Sequence, residues 1–431
     1  MRICKWWLLA GCGIVILSII GVGVASAEEL LPLRALGHAV HQAAARDLEP
    51  FLVQWRTYGL ADVRELLFRE AALPYPAYDV GYLLNTWASP IITQYFEPLN
   101  EWLERAPLPG FPADWPSGMI EALTFDGKIY AIPMRAVNNV LHYNKNYFEQ
   151  RHVELPTTIE ELFEAAKKLT FIREDGVRVY GMAFYGMPTI IYEVLIALAR
   201  AWGPDAGVIT PDYRVVCNKP PMVTVLSKLH ELYTYGALPP DVFLYEVSDS
   251  VRMFQMGQVA MVFHPADYYR RFNDPSASQV AGNTGLSLIP PAADYKGVLP
   301  GSISFMTFWS FVIPKNLPYE RKELAWEFIR RLSTPEAQLH AAIYNANAPT
   351  RLSVLYSDDF KAAAPYAEIA GKALSIARVP LPAFDSIMEA VDIFGTYAHM
   401  AIKGEMAPQE AMDRAAEELR ALLAAEGLLR E

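Results

Sequence analysis

The chain has 431 residues, 52% of them hydrophobic and 20% charged, so it is too apolar for a disordered polymer and long enough for two or three folded units. Its formal net charge of −11 argues against nucleic acid or an anionic bilayer surface as a partner. Proline and glycine are scattered singly, and neither a low-complexity tract nor a repeat of 20–50 residues is present.

The N-terminus reads as an export segment. Arg2 and Lys5 precede an apolar stretch from Trp6 to Val24, and Ala25-Ser26-Ala27 has the small residues of a cleavage site before Glu28 and Glu29. The stretch is long for a signal core, so an uncleaved anchor is a rival reading. Leu9-Ala10-Gly11-Cys12 offers a third, a lipoprotein box, although the apolar run continues past the cysteine. All three put the bulk of the chain in the periplasm or outside the cell. Two of the three cysteines, Cys4 and Cys12, fall in this segment. Cys217 therefore has no internal disulfide partner and reads as a small buried apolar residue.

Beyond residue 27, short β-like runs alternate with amphipathic helices. Strands are predicted over 33–39, 51–57 and 79–84, with helices over 60–71 and 95–105 between and after them. Such alternation favours a parallel α/β sheet. Thr158 and Glu161 form a capping-box pair that opens a helix, and Lys167 and Lys168 complement the dipole of its last turn. A strand is predicted over 179–184, and later helices over 221–235, 319–332, 335–342 and 408–423. The runs 130–144, 259–263 and 309–313 are apolar, β-rich and continuous enough to pass between two units.

Four stretches carry a family resemblance. They are Asp126-Gly-Lys-Ile-Tyr-Ala-Ile-Pro133 with Leu141-His-Tyr-Asn-Lys145 and Pro156-Thr-Thr158; Met253-Phe-Gln-Met-Gly-Gln-Val-Ala-Met261; Phe311-Val-Ile-Pro-Lys315 with Leu324-Ala-Trp-Glu-Phe-Ile329; and Ala348-Pro-Thr-Arg351 with the helical tail after Gly404. In order and spacing the chain resembles the carbohydrate-type extracellular solute-binding proteins of ABC transporters. The resemblance implies a periplasmic-binding-protein-like α/β fold, with two lobes joined by crossover segments near 134–142, 260–268 and 307–318 around a ligand cleft. It places residues 28–137 and 264–312 in an N-terminal lobe, and 138–263 and 313–431 in a C-terminal lobe. It also implies a monomer without cofactor that closes on a mono- or oligosaccharide and delivers it to the permease subunits of the importer.

A sugar site needs flat aromatic faces and side chains that both donate and accept hydrogen bonds. Trp87, in the loop after the 79–84 strand, is at the expected cleft edge. Trp309 sits at the third inferred crossover, to stack on ligand or wedge between lobes. Tyr185 follows the 179–184 strand. Asp267 and Tyr268 follow the second crossover, where Asp267 either accepts sugar hydroxyls or caps a helix. Asn138 and Arg135 lie in the first crossover, and Arg135 either grips an anionic group or forms an interlobe salt bridge. Arg351 either reaches the cleft or forms a surface pair. His41 is a candidate hydrogen-bonder. With His38 it has H-x-x-H spacing, but on a strand the two face opposite ways, and without a third ligand no metal is expected.

Rival functions have less support. Asn100-Glu101 superficially resembles an acid/base dipeptide of an exported glycoside hydrolase, yet it sits beside Leu99 and Trp102 in an amphipathic helix. Neither G-x-S-x-G nor H-E-x-x-H occurs. A sensory binding protein acting on a receptor kinase would share the same fold and cleft.

Overall fold

A computed structural model describes residues 32–38, 52–296, 306–345 and 347–430. The N-terminal hydrophobic segment and His41 lie outside the described residues.

The strands are β1 (Leu33–His38), β2 (Val53–Tyr58), β3 (Val80–Leu84), β4 (Thr124–Phe125), β5 (Lys128–Ile129), β6 (Ile132–Asn144), β7 (Phe171–Ile172), β8 (Arg178–Ala183), β9 (Val259–Pro265), β10 (Thr284–Ser287) and β11 (Met306–Val312). β4 and β5 form a separate hairpin. The others make a nine-stranded sheet in the order β2-β1-β3-β11-β6-β9-β8-β7, with β10 also on β6. β1 pairs parallel with β2 and β3, and β8 parallel with β9, whereas β11 and β6 run antiparallel to their neighbours. The sheet is therefore mixed. Two parallel α/β halves meet across antiparallel connecting strands.

β6 makes that junction. Its residues from Ile132 to Asn138 pair with β11, while Asn139 to Tyr143 pair with β9. One continuous strand thus belongs to both halves. Buried side chains sort accordingly into two main cores. Leu36, Val80, Leu83, Ile132 and Phe311 lie in the first; Leu162, Val179, Leu195, Leu226 and Met261 lie in the second.

Local signals explain the helices. Thr158 and Glu161 form the reciprocal capping box that opens the helix Ile159–Lys168, and Leu162, Phe163 and Ala166 are buried along its inner face. The helix Leu60–Ala71 forms as expected. The single helix expected over 95–105 is instead two short ones, Ile92–Tyr95 and Asn100–Arg105. Pro98 lies between them, lacks an N–H and disfavours helix in the residue before it.

The packing differs from the expected division in two places. Residues 313–377 were expected with the second half. However, β11 lies in the first half beside β3, and the helices that follow land on the same core. Trp326, Ile329, Phe360 and Tyr366 are buried there. The chain joins the second core only from Leu381 onward. Conversely, Phe272 and Val280 pack against β8 and β9 in a small third cluster, and Ile289 and Ala292 lie in the second core. Ala266 is nevertheless buried in the first core and Leu286 and Leu288 pack against it, so this segment touches both halves. A further link, residues 378–386, is held by Arg200, which donates to the carbonyls of Arg378 and Val379 at 3.0 and 2.8 Å.

Candidate functional site

The ends of β1, β3, β8 and β9 converge where the halves meet, the position at which open α/β sheets offer a crevice to ligands. From the first half, β3 runs directly into the turn Asn85–Trp87. Asn85 accepts from the backbone N–H of Phe308 at 2.8 Å, which ties this turn to β11. Trp309 is in register with Leu84 on one side and Arg135 on the other. Its ring meets that of Trp87 edge to face, centroids 5.4 Å apart and planes at 88°. Both are only 5% exposed.

From the second half, Tyr185 follows β8 and is 3% exposed. Gly186 permits this placement, because a Cβ there would lie 2.1 Å from the Val242 carbonyl oxygen. The Tyr185 hydroxyl accepts from Asn139 Nδ2 and donates to Glu193 Oε2 at 2.9 Å. Tyr192 places its own hydroxyl between Glu193 and Thr86 of the first half. A polar chain thus runs Asn139–Tyr185–Glu193–Tyr192–Thr86 across the junction. Glu193 is only partly buried as a residue, yet withdrawal of its carboxyl from water pushes it up to about 7, against the hydrogen bonds from the two tyrosines.

Arg135 and Asp267 form a buried ion pair at 2.8 Å. Burial works against the Arg135 charge, but Asp267 beside it and the Tyr268 hydroxyl hold its pKa above the ordinary value. Asp267 caps no helix; its bond is to Arg135. Two groups of the pair, Asp267 Oδ1 and Arg135 Nε, have no hydrogen-bond partner among the described residues. Tyr268 stacks on His264, centroids 5.1 Å apart and planes at 6°, and the Arg271 guanidinium lies over the Tyr268 ring, 4.6 Å from its centroid. His38, at the end of β1, is pushed down by burial and by the charges of Arg135 and Arg271.

Of the residues expected from sequence, the structure brings Trp87, Trp309, Tyr185, Arg135, Asp267 and Tyr268 to this junction. Two go elsewhere. Asn138 donates from Nδ2 to the Ala370 carbonyl at 3.1 Å, while its neighbour Asn139 joins the Tyr185 chain. Adjacent strand residues project to opposite faces, so only one of the pair belongs to the polar chain. Arg351 is committed to the interior of the first half. It bonds Asp114 at 2.7 Å and the carbonyls of Ser333 and Pro109, with its guanidinium 4.3 Å from the Trp115 ring centroid. It is neither in the cluster nor a surface pair, because that fork is buried. Glu193, Tyr192 and Thr86 were missed. The helix Ile191–Ala199 has no side-chain cap and is buried nearly all round, so periodicity does not single out Glu193. Its one signal is an acidic residue in an otherwise apolar run. Among the described residues no group of His, Cys, Asp and Glu is arranged to hold a metal ion.

Comparison with known proteins identifies the family. A family model described as bacterial extracellular solute-binding protein matches residues 54–368. The chain belongs to that family. Among relatives of the solute-binding protein, a mannitol-binding protein of Pseudomonas aeruginosa is 26% identical over 345 residues, spanning 72% of this chain and 74% of the relative. An erythritol/L-threitol-binding protein of Mycolicibacterium smegmatis is 26% identical over 279 residues, spanning 60% of this chain and 56% of the relative. Among solved structures, maltose-bound MalE3 of T. maritima superposes with a TM-score of 0.78 at 23% identity, covering 91% of this chain and 99% of its own. A solute-binding protein of Agrobacterium vitis S4 with bound D-mannitol superposes at 0.74 and 21% identity, covering 92% and 99%. At these identities the structural likeness is one of fold. The two-lobed architecture expected for the solute-binding protein is thus present. Among the described residues, no helix is long and apolar enough to cross a membrane.

Proposed function

We propose that the protein is the extracytoplasmic receptor of an ABC importer, that it closes on a polyol or small sugar at the junction of its halves, and that it passes the ligand unchanged to the permease. One juxtaposition carries this reading. The paired rings of Trp87 and Trp309 from the first half stand at the same junction as the Asn139–Tyr185–Glu193 chain from the second. Flat rings suit the C–H faces of a hydroxylated carbon skeleton, and the amide, phenol and carboxylate suit its hydroxyls. Ligand is then gripped from both sides of the β6 hinge. Contacts complete only when the halves meet give the ligand its extra affinity for the closed form, which is what drives closure.

The names of the curated relatives, mannitol-binding and erythritol/L-threitol-binding, support polyols as the first compounds to try. Export through the N-terminal segment and action as a monomer belong to the same proposal. So does a working division into a first lobe of roughly residues 28–138 and 306–377 and a second of roughly 139–296 and 381–430.

A thermal-shift screen against polyols, mono- and oligosaccharides and sugar phosphates tests it. A ligand at 100 times its Kd adds about 2.7 kcal/mol, a shift of several degrees. A selective polyol or sugar shift is expected. A panel without any shift, or a ligand chemically altered on recovery, would sink the reading.

A further inference from the structure

The ionic groups around the junction are unequally spent, and the imbalance points to a rule about ligand charge. Arg135 is buried and neutralised by Asp267 at 2.8 Å. Arg351 has its fork occupied by Asp114 and two carbonyls inside the first half. Arg271 lies over the Tyr268 ring at 4.6 Å but is exposed, where water and salt screen its charge. Glu193 is in the opposite condition. Among the described residues no cation pairs with it, and its hydrogen bonds come from the hydroxyls of Tyr185 and Tyr192. A carboxylate has about four acceptor positions. Two phenols leave some of them open to further donors.

Above its raised pKa of about 7 the Glu193 carboxyl is ionised and accepts from a ligand hydroxyl, whereas a phosphate dianion or carboxylate group on the ligand has no proton to donate to it and meets like charge away from bulk water. Resting on the proposed reading of the junction as a receptor for hydroxylated solutes, we propose that Glu193 sets its charge selectivity. It accepts hydroxyls of an uncharged polyol or sugar and turns away the phosphorylated or acidic analogue of the same carbon skeleton. Tyr185, oriented by Asn139, is the positioning residue that holds the carboxylate in place.

The test is calorimetric titration of the purified protein at pH 8.5, where the Glu193 carboxyl is ionised, with matched pairs: D-mannitol and D-mannitol 1-phosphate, ribitol and ribitol 5-phosphate, D-glucose and D-gluconate. The neutral member of the preferred pair is expected to bind at least about 100-fold more tightly than the charged one. Glu193→Gln is expected to weaken the neutral ligand about tenfold and to narrow the ratio below about tenfold. Tyr185→Phe, which keeps the charge of Glu193 but removes the hydroxyl that orients it, is expected to weaken both members and change the ratio by less than about threefold. Should Glu193→Gln fail to fold, Glu193→Asp takes its place and must keep a ratio above about 30-fold. A charged member binding within tenfold of its neutral partner overturns the proposal and leaves the receptor reading standing. An unchanged ratio in folded Glu193→Gln does the same, as does a lost ratio in Glu193→Asp. Binding by none of the neutral compounds overturns the receptor reading, and the proposal with it.

Discussion

Trp87 and Trp309 are far apart in sequence, yet their rings meet edge to face at 5.4 Å. The contact exists because β11 inserts between β3 and β6, placing Trp309 opposite Leu84 and beside Arg135. An aromatic surface at the strand ends is therefore assembled by topology, and the cleft wall is only as good as this pairing.

If that wall contacts ligand, Trp87→Ala weakens binding at least tenfold, about 1.4 kcal/mol. Calorimetric titration measures it, with a thermal melt to confirm that the variant is folded. Unchanged affinity would remove Trp87 from the site.

Much of the architecture is legible in the sequence, and the exceptions have specific causes. The capping box at Thr158 and the loop position of Trp87 depend on local chemistry, and both are as expected. The destination of the helices after β11 is not local, since an apolar helix face shows that it is buried but not against which core. Asn138 and Asn139 are likewise indistinguishable in sequence, and only strand register decides which one meets Tyr185. Arg351 misleads for a related reason: a guanidinium beside Pro349 and Thr350 looks available until Asp114 and Trp115 fold onto it.

The Arg135–Asp267 pair yields a stability prediction. Both side chains are buried, so Asp267→Ala strands a charge and costs about 3–5 kcal/mol. Replacing both partners with apolar residues of similar size should recover most of that loss. Urea denaturation of the two variants checks this, and equal stability of the single and double variants would contradict it.

Arg351→Met should separate stability from binding. Its bonds to Asp114 and to the Ser333 carbonyl lie inside the first half, so the variant loses on the order of 3 kcal/mol while keeping ligand affinity within about twofold. A large affinity loss in a folded variant would return Arg351 to the cleft.

Two groups give stability opposite dependences on pH. The Glu193 carboxyl is raised from 4.5 to about 7 by burial, so the folded state holds a proton that the unfolded state has released, and stability falls as pH rises from about 4.5 to 7. His142 is lowered from 6.5 to about 4 by burial, against hydrogen bonds to the Pro265 and His264 carbonyls; its contribution is present above pH 6.5 and is lost as pH falls toward 4. Glu193→Gln removes only the first effect. Its Tm relative to the unsubstituted protein should therefore climb steadily between pH 4.5 and 7.5. A difference independent of pH would mean that Glu193 is not held in this way.

The most direct test of a receptor that binds and releases a solute unchanged is an equilibrium titration with recovery. D-mannitol is titrated into the purified protein by calorimetry, followed by ribitol and maltose, and the bound compound is then released and weighed by mass spectrometry. One saturable site with a ligand of unchanged mass is the predicted result. No binding by any of the three, or a ligand returned with altered mass, would contradict it.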